Sequence, residues 1–268
     1  MSELMASSIK VLDWKALINR GLQYGDGIFE TMRLVNGKVP LWQFHWHRFQ
    51  QSAQYLNLNC PNEAEILKQI DSWFVAEEAS HAVIKLTLFR QAKGRGYAAQ
   101  HKDSDWILQS SPLPHENKKP FHLGLAQLQL AEQPCLAGIK HLNRLEQVFL
   151  ARELQQSRFD EMLVCAQSGE LIESVSQNVV LLKDDELYTP KTTRCGVSGV
   201  GLAWLKSHVT VKSVNIQVSE LSSFDGLFLI NSVRGISSVE SVDGVKKFST
   251  ASSLHDRIEH SWNELMSL

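Results

Sequence analysis

One lysine, Lys140, stands between an apolar, glycine-containing stretch and a helical pattern in the segment AGIKHLNRLEQVFLARE. We expect a lysine at such a junction to be partly desolvated. Desolvation lowers the pKa of an amine and frees its lone pair, so Lys140 is a candidate for covalent chemistry with a carbonyl compound. The alternative, a lysine that points into water at a helix start, stays open on this pattern alone. The helical pattern consists of Leu142, Leu145, Val148 and Phe149.

Two segments in the first half of the chain carry further chemical groups. Two glycines flank Asp26, which predicts a tight turn where the backbone is closely approached, or simply an entry into a strand. In HWHRF, His45 and His47 are two residues apart, so on a helix their rings diverge and we expect no metal site. Arg48 lies just off the apolar face of the same predicted helix. A guanidinium there could bind a phosphate or carboxylate through two hydrogen bonds.

Two segments in the second half also carry candidate groups. Glu173 lies in ELIESVSQN among apolar residues, where it either faces solvent or is kept for a partner. The run CGVSGVGL, from Cys195 to Leu202, precedes a predicted helix, so its backbone N–H groups form a natural anion site. Its glycine spacing differs from that of the dinucleotide-binding fingerprint.

The bulk composition is that of a globular protein and excludes several classes. The 268-residue chain carries a formal net charge of −2 and has no basic run, which argues against a nucleic-acid partner. No apolar run is long enough to span a bilayer, and MSELMASSIKVLDWK does not have the pattern of a signal peptide, so we expect a cytoplasmic protein. Four scattered cysteines without a CxxC pair are expected to be reduced and to hold no zinc.

The segment SSPLPHENKKP contains three prolines and is the best candidate for a linker. We therefore predict an N-terminal domain over residues 1–112, a linker over 113–120 and a C-terminal domain over 121–268. Helices are predicted over 43–56, 63–78, from 142 onward, near 202 and over 254–266. Strands are predicted over 28–35, 38–41, 82–89, 106–109, 161–165, 171–174, 179–182, 186–188, 209–218 and 226–230, with an antiparallel meander after the Lys140 helix.

In this order along the chain, these segments resemble the fold-type IV family of pyridoxal-phosphate enzymes, which includes branched-chain and D-amino-acid aminotransferases. Within that family, the runs AGIKHLNRLEQV and GRGY resemble most closely the lyases that act on 4-amino-4-deoxychorismate. The resemblance implies an α+β fold like that of D-amino-acid aminotransferase. It also implies a smaller N-terminal α/β domain and a larger C-terminal domain with antiparallel strands.

The resemblance also implies residue roles around pyridoxal 5′-phosphate (PLP). Lys140 matches the lysine that binds the cofactor covalently and shuttles protons, and Glu173 matches the glutamate that pairs with the pyridine nitrogen. Arg95 in GRGY is similar to an arginine that meets a substrate carboxylate, and Thr31 is a weaker candidate beside the reacting centre. Arg144 and Arg194 are further local cations for a substrate with two carboxylates, without support from the resemblance, and Arg144 could equally cap or flank its helix. The remaining matches, all toward the cofactor, are Arg48, Asn178, Val200, Gly201 and Ser232.

The expected reaction is the conversion of 4-amino-4-deoxychorismate into 4-aminobenzoate and pyruvate, in a homodimer and without a nucleic-acid or membrane partner. An aminotransferase acting on branched-chain or D-amino acids would use the same Lys140, Glu173 and Arg48, and the HLNRLEQ run favours the lyase over it. A non-catalytic protein that binds the cofactor is the alternative of a different class. Because Lys140, Glu173 and a phosphate cradle are retained together, we favour an enzyme.

Overall fold

The computed structural model describes residues 3–7, 19–77, 80–94, 96–115, 119–249 and 252–267, and it has the predicted α+β class. The chain forms two compact units. The first comprises Met1–Pro114, Lys140–Asn143 and Met266–Leu268, and the second comprises His115–Ile139 and Arg144–Leu265. The short segment that contains Lys140 therefore packs with residues more than a hundred positions earlier in the chain.

The first unit is built on one antiparallel sheet with the strand order β1-β4-β3-β2. Its elements are β1 (Glu3–Ser7), α1 (Arg20–Tyr24), β2 (Gly27–Val35), α2 (Trp42–Tyr55), α3 (Glu63–Glu77), β3 (His81–Arg90) and β4 (Ser104–Ser111). The sequence predicted α2, α3 and three of these strands to within two or three residues at each end. It did not predict β1 or α1.

The predicted hairpin turn after β2 is present, but the strand predicted to follow it is not formed. Asn36 and Gly37 both have positive φ angles, 48° and 79°, as a tight hairpin turn requires. The predicted strand over 38–41 is wrong, because only Lys38 pairs, in a single bridge with Val35, and α2 begins at Trp42. Of the five residues predicted to form the apolar face of α2, Trp42, Trp46, Phe49 and Ala53 are buried, whereas Leu56 follows the end of the helix and is half-buried.

The second unit contains a nine-stranded sheet with the order β10-β9-β8-β11-β12-β5-β6-β7, and β13 pairs with β12. Its strands are β5 (Phe121–Leu125), β6 (Glu161–Cys165), β7 (Leu171–Ser174), β8 (Asn178–Lys183), β9 (Glu186–Pro190), β10 (Val211–Val214), β11 (Gly226–Asn231), β12 (Gly235–Val242) and β13 (Lys246–Lys247). Its helices are α4 (Leu145–Gln155), α5 (Val200–His208), a 3-10 helix (Val218–Ser223) and α6 (Ser253–Met266).

The predicted antiparallel meander is wrong in its connections. The chain leaves β7 at one end of the sheet and enters β8 beside β9 and β11, so β7 and β8 are not paired. Strand β5 is parallel to both of its neighbours, β6 and β12. The side chains that β5, β6, β8, β11 and β12 bury together form the main core of this unit; they include Phe121, Leu123, Leu163, Leu181, Leu229 and Val239.

No helix in the described parts of the chain combines the length and the apolar character needed to cross a membrane.

Candidate active site

The Lys140 segment is extended and runs along the edge of β2. The backbone N–H of Phe29 donates to the Lys140 carbonyl at 2.9 Å, and Leu142 N–H donates to the Gly27 carbonyl at 2.9 Å. The prediction that the helix begins at residue 142 is therefore wrong, and α4 begins at Leu145. Helical spacing is a weak preference, and hydrogen bonds to the strand edge override it here.

The close approach predicted at Asp26 is confirmed, and the approaching chain is this same segment. A Cβ atom on Gly25 would lie 2.3 Å from the Asn143 side-chain oxygen, and Asn143 Nδ2 donates to the Gly25 carbonyl at 3.2 Å. A Cβ atom on Gly27 would lie 2.7 Å from the Leu142 side chain. Gly25 also has a φ of 66°. Side chains at these two positions would displace the segment that carries Lys140.

The Lys140 amine lies over the ring of Phe29, with Nζ 4.6 Å from the ring centroid. A second amine, Lys85 Nζ, lies 5.0 Å from the centroid of the same ring. Thr31, two residues after Phe29, emerges on the same face of β2 and pairs in register with Lys85. Sequence reasoning missed Lys85, although it is the one charged residue inside the apolar strand AVIKLTLF.

The opposite face of β2 carries a buried carboxylate, Glu30, which the sequence analysis also missed. Arg48 binds it with two hydrogen bonds, Nε to Oε1 at 2.8 Å and Nη2 to Oε2 at 2.5 Å. His45 Nδ1 lies 2.6 Å from Oε2. Burial opposes ionisation of Glu30, yet Arg48 and His45 together lower its pKa to about 2. Arg48, the predicted phosphate ligand, is thus held in place by a carboxylate.

The alternation of β2 contained the signal for Glu30. This residue has the same parity in the strand as Ile28, Met32 and Leu34, which are all buried. A carboxylate at that parity must be paired inside the fold.

The two histidines of HWHRF diverge, as their spacing predicts. His45 is buried, and its pKa is lowered by burial and by the positive charges of Arg48 and Lys140, against an opposing effect of Glu30. His47 is exposed.

Glu173 in the second unit is also a buried carboxylate, and its contacts are of a different kind. Its Oε2 accepts the backbone N–H of Val197 at 2.9 Å. Asn178 Nδ2 donates to the backbone carbonyl of Val197 at 3.0 Å. A Cβ atom on Gly199 would lie 1.7 Å from Asn178 Oδ1, so only glycine fits at that position. The loop before α5 is therefore fixed by two of the predicted site residues.

The N-terminus of α5 provides backbone donors beside this loop. Its N-cap residue, Gly199, makes no side-chain capping bond, and Val200 and Gly201 form the first turn. A Cβ atom on Gly201 would lie 3.1 Å from the backbone carbon of Asn231, the residue before Ser232. The structure thus brings together all five predicted residues of this unit, namely Glu173, Asn178, Val200, Gly201 and Ser232.

This donor set fits PLP. A helix N-terminus without a side-chain cap and with glycines in its first turn suits a phosphate, because its N–H groups and the helix dipole both favour an anion. A buried carboxylate suits the cationic form of a pyridine nitrogen. In the first unit, Lys140 supplies an amine that lies against an aromatic ring.

The other arginine candidates have different surroundings. Arg144 is the N-cap residue of α4 and donates from Nη2 to the Ile139 carbonyl at 2.9 Å, so its observed contact flanks the helix. Arg194, another cation near the predicted anion loop, is paired with Glu170 at 2.5 Å and with Glu132 at 3.2 Å. Arg95 lies outside the described residues.

Residues 27–242 match the family described as amino-transferase class IV. The protein therefore belongs to the class IV aminotransferase family. This family depends on PLP, which confirms the predicted cofactor and identifies the chain as a PLP-dependent enzyme.

Two relatives are similar in sequence to this chain over most of their length. An aminodeoxychorismate lyase from Vibrio harveyi is 28% identical over 234 residues, which cover 84% of this chain and 86% of the relative. A D-alanine aminotransferase from Listeria monocytogenes is 23% identical over 238 residues, which cover 85% of this chain and 82% of the relative.

Among solved structures, the crystal structure of 4-amino-4-deoxychorismate lyase from Pseudomonas aeruginosa matches with a TM-score of 0.86 and 30% identity. That match covers 100% of both chains. The branched-chain amino acid aminotransferase of Escherichia coli matches with a TM-score of 0.84 at 17% identity, which shows a shared fold. The predicted fold type is confirmed.

Proposed function

We propose that this protein is a PLP-dependent lyase that converts 4-amino-4-deoxychorismate into 4-aminobenzoate and pyruvate, a step of folate biosynthesis. The observation that carries the proposal is the similarity to the Pseudomonas aeruginosa lyase, which extends over the whole of both chains at 30% identity. The aminotransferases named above are 23% and 17% identical. The HLNRLEQ run after Lys140 supports the same choice.

In this proposal, each cofactor group has a residue of matching chemistry. Lys140 binds the cofactor covalently, and Glu173 keeps the pyridine nitrogen protonated. Arg48, fixed by Glu30, binds the phosphate together with the Ser232 hydroxyl and the backbone N–H groups of the first turn of α5, Val200 and Gly201. Asn178 keeps the Glu173 loop in place through Val197.

The reaction itself requires one proton to be moved. When bound, PLP supplies an electron-withdrawing ring that stabilises negative charge beside the substrate amine. Lys140 removes the proton from the ring carbon that carries the amino group. The C–O bond to the enolpyruvyl group then breaks, its electron pair leaves with the oxygen, and the substrate ring becomes aromatic. Lys140 returns the proton to the departing group, so the two products together contain every atom of the substrate.

The substrate carries two carboxylates, so cations are needed near Lys140. Lys85 meets this requirement because its amine lies against the ring that Lys140 contacts. We propose Lys85 and Arg95 as carboxylate ligands. Thr31, on the same face of β2, is placed to bind substrate or to exchange a proton with Lys140. Arg144 is a further candidate substrate ligand, and its observed bond to the Ile139 carbonyl also suits a residue that supports the Lys140 segment.

We further propose that the protein is a homodimer in the cytoplasm. Three apolar side chains on one face of α4 are at least half exposed: Leu145 at 73%, Val148 at 52% and Phe149 at 50%. Their i, i+3, i+4 spacing makes one continuous patch, and such patches mark interfaces. Phe149→Asp should convert the dimer to a monomer in light scattering, whereas Glu153→Gln on the same helix should not.

The second candidate is an aminotransferase, which the similarity to the Listeria D-alanine aminotransferase supports. The same Lys140 and Glu173 would serve it. It requires a keto acid as a second substrate and returns the amino group to that acid, whereas the lyase needs one substrate only.

The deciding experiment supplies the cofactor-loaded protein with freshly generated 4-amino-4-deoxychorismate and measures both products. Equal amounts of 4-aminobenzoate and pyruvate, with no keto acid added, support the lyase. Absence of 4-aminobenzoate, together with amino transfer between a D- or branched-chain amino acid and a keto acid, would replace it with the aminotransferase.

A further inference from the structure

A second group of buried charges lies in the first unit, around Asp26. Arg20 and Arg90 are each only 6% exposed. Both donate to the same Asp26 oxygen, from Arg20 Nε at 2.8 Å and from Arg90 Nε at 2.9 Å. Burial opposes ionisation of Asp26, but these hydrogen bonds and charges lower its pKa overall. One carboxylate thus orients two guanidinium groups.

The other N–H groups of each guanidinium donate to backbone carbonyls. These carbonyls belong to the β3–β4 connection or to the segment after α2. Arg20 Nη1 donates to Gly96 O at 2.7 Å, and Nη2 donates to Tyr97 O at 2.6 Å. Arg90 donates to the carbonyls of Leu56, Asn57 and His101. We call residues 94–97 of this connection the GRGY tip. Because a guanidinium presents its donors as a planar fork, Arg20 holds two successive carbonyl groups of this tip, those of Gly96 and Tyr97.

Aromatic contacts strengthen the same attachment. The Arg20 guanidinium lies 4.8 Å from the centroid of the Tyr24 ring, and the Tyr24 and Tyr97 rings meet edge to face at 5.3 Å. The tip would otherwise be weakly determined. Gly94 and Gly96 have φ angles of 116° and 86°, and a Cβ atom on either would contact nothing within 4 Å.

The turn that follows Arg20 also holds the Lys140 segment. Asn143 donates to the Gly25 carbonyl and Leu142 to the Gly27 carbonyl, as described above. Residues 20–27 are therefore bound to the GRGY tip on one side and to the Lys140 segment on the other.

We propose that Arg20 is a positioning residue that sets substrate recognition by holding the GRGY tip at a fixed place relative to Lys140. This inference rests on the proposed function, in which Arg95, between the two glycines of the tip, binds a substrate carboxylate. Arg20 touches neither substrate nor cofactor, and it acts through the carbonyls of Gly96 and Tyr97.

The first test is Arg20→Lys, which keeps the charge but cannot make the forked contact. We expect KM for 4-amino-4-deoxychorismate to rise about 10- to 100-fold with kcat within about threefold of the wild type, because misplacing a binding group by about 1 Å has effects of this size. Cofactor absorbance should be unchanged. Trypsin cleavage after Lys93 in the loaded protein should become at least several-fold faster. The matched control is Arg158→Lys, at a side chain that is 73% exposed.

A second variant, Gly96→Ala, keeps the proposal testable if Arg20→Lys does not fold. It strains the tip at a positive φ while the Arg20, Arg90 and Asp26 side chains are all retained, and the same rise in KM and in trypsin cleavage is expected. Gly244→Ala is the matched control, since Gly244 has a φ of 69° and equally open surroundings.

Unchanged KM and unchanged cleavage in both variants would overturn the proposal, and so would a fall in kcat at constant KM. If the wild-type protein does not act on 4-amino-4-deoxychorismate, the proposed function fails. The cleavage rates then still decide whether Arg20 holds the tip, and KM is measured with the amino acid that the protein does use.

Discussion

The two units each bury a glutamate among the candidate site residues, and they hold it in different ways. Glu30 in the first unit is bound by the guanidinium of Arg48 and lies within hydrogen-bond distance of the His45 ring. Glu173 in the second unit accepts a backbone N–H from Val197. Because a buried ion pair is costly to break and a bond to backbone tolerates a neutral acceptor, the two carboxylates should respond differently to the same substitution.

The comparison extends to the surroundings of each glutamate. The first unit orients guanidinium groups with carboxylates: buried Glu30 binds Arg48, and partly buried Asp26 binds Arg20, which also donates to the Gly96 carbonyl. In the second unit, the proposed anion site consists of backbone donors, with Gly199 and Gly201 at positions where a side chain would collide or fit tightly. Pairing between charged side chains therefore positions one region, and side-chain bonds to backbone together with close packing at glycines position the other.

The largest effect is expected at Lys140, whose amine no neighbouring group replaces in the proposal. Lys140→Ala should lower kcat by about 10⁴-fold or more, because it removes the covalent attachment and the proton carrier together. Turnover by the loaded variant checks this. Lys183→Ala is the control, since Lys183 also lies over an aromatic ring, at 5.9 Å from the Phe224 centroid. A Lys140→Ala protein that turns over at a tenth of the normal rate would refute the assignment.

Glu30→Gln should mainly affect stability. Loss of one partner leaves Arg48 buried without its counter-charge, so the free energy of unfolding should fall by about 3–5 kcal/mol. Urea denaturation measures the change. Glu186→Gln, at an exposed pair with Lys212, should leave the midpoint unchanged.

The pH dependence of the same variant gives an independent test. The folded-state pKa of Glu30 is about 2, below its ordinary value of 4.5, so ionised Glu30 stabilises the fold above pH 4.5. That contribution is lost as the pH falls toward 2. The difference in unfolding free energy between wild type and Glu30→Gln should therefore shrink from pH 6 to pH 3. A constant difference would show that the Glu30 charge contributes no stability.

Glu173→Gln should give the opposite pattern to Glu30→Gln. The amide oxygen can still accept from Val197, so the free energy of unfolding should change by no more than about 1 kcal/mol. In the proposed function, Glu173 supplies the negative charge that pairs with the pyridine nitrogen, so we expect kcat to fall by about 10²- to 10³-fold when that charge is lost. Calorimetry and steady-state turnover on one preparation separate the two effects. A loss of stability equal to that of Glu30→Gln would remove the distinction between the two units.

Gly199→Ala should give the smallest effect of the series, through packing alone. The φ of Gly199 is −70°, which any residue adopts, but the added Cβ would collide with Asn178. We expect a loss of about 1–3 kcal/mol in unfolding free energy and weaker PLP binding in a spectroscopic titration. Gly226→Ala is the matched control, because the nearest atom to its Cβ would be at 3.4 Å.

The sequence predicted the elements with clear periodicity and the residues with a family match. Strands β6 and β7 have the predicted bounds, because alternation and flanking turns define them locally. Strand pairing is not local: β5 and β12 were not predicted, and their parallel pairing joins residues more than a hundred positions apart. The helix start at 142 failed because the edge of β2 binds the chain there.

Sequence reasoning proposed roles for residues that stand in a recognisable run, as with Lys140 and Glu173. It missed Glu30 and Arg20, which act through another residue, and Lys85, which comes to lie beside Lys140 only in the folded chain. Glu30, Lys85 and Arg20 are single charged residues whose partners are fixed by the fold, so their roles follow from contacts to Arg48, Phe29 and Gly96. The sequence signals that could have found them are the parity of Glu30 within β2 and the single charge of Lys85 within the apolar run AVIKLTLF.

The most direct measurement is borohydride reduction of the PLP-loaded protein followed by peptide mass mapping. Lys140 and Lys85 lie over the same phenyl ring at 4.6 Å and 5.0 Å from its centroid, so the experiment chooses between two neighbouring amines, of which Lys85 is the more exposed. The account predicts the reduced cofactor on Lys140 alone. An adduct on Lys85, or no covalent adduct in a protein that turns over, would contradict it.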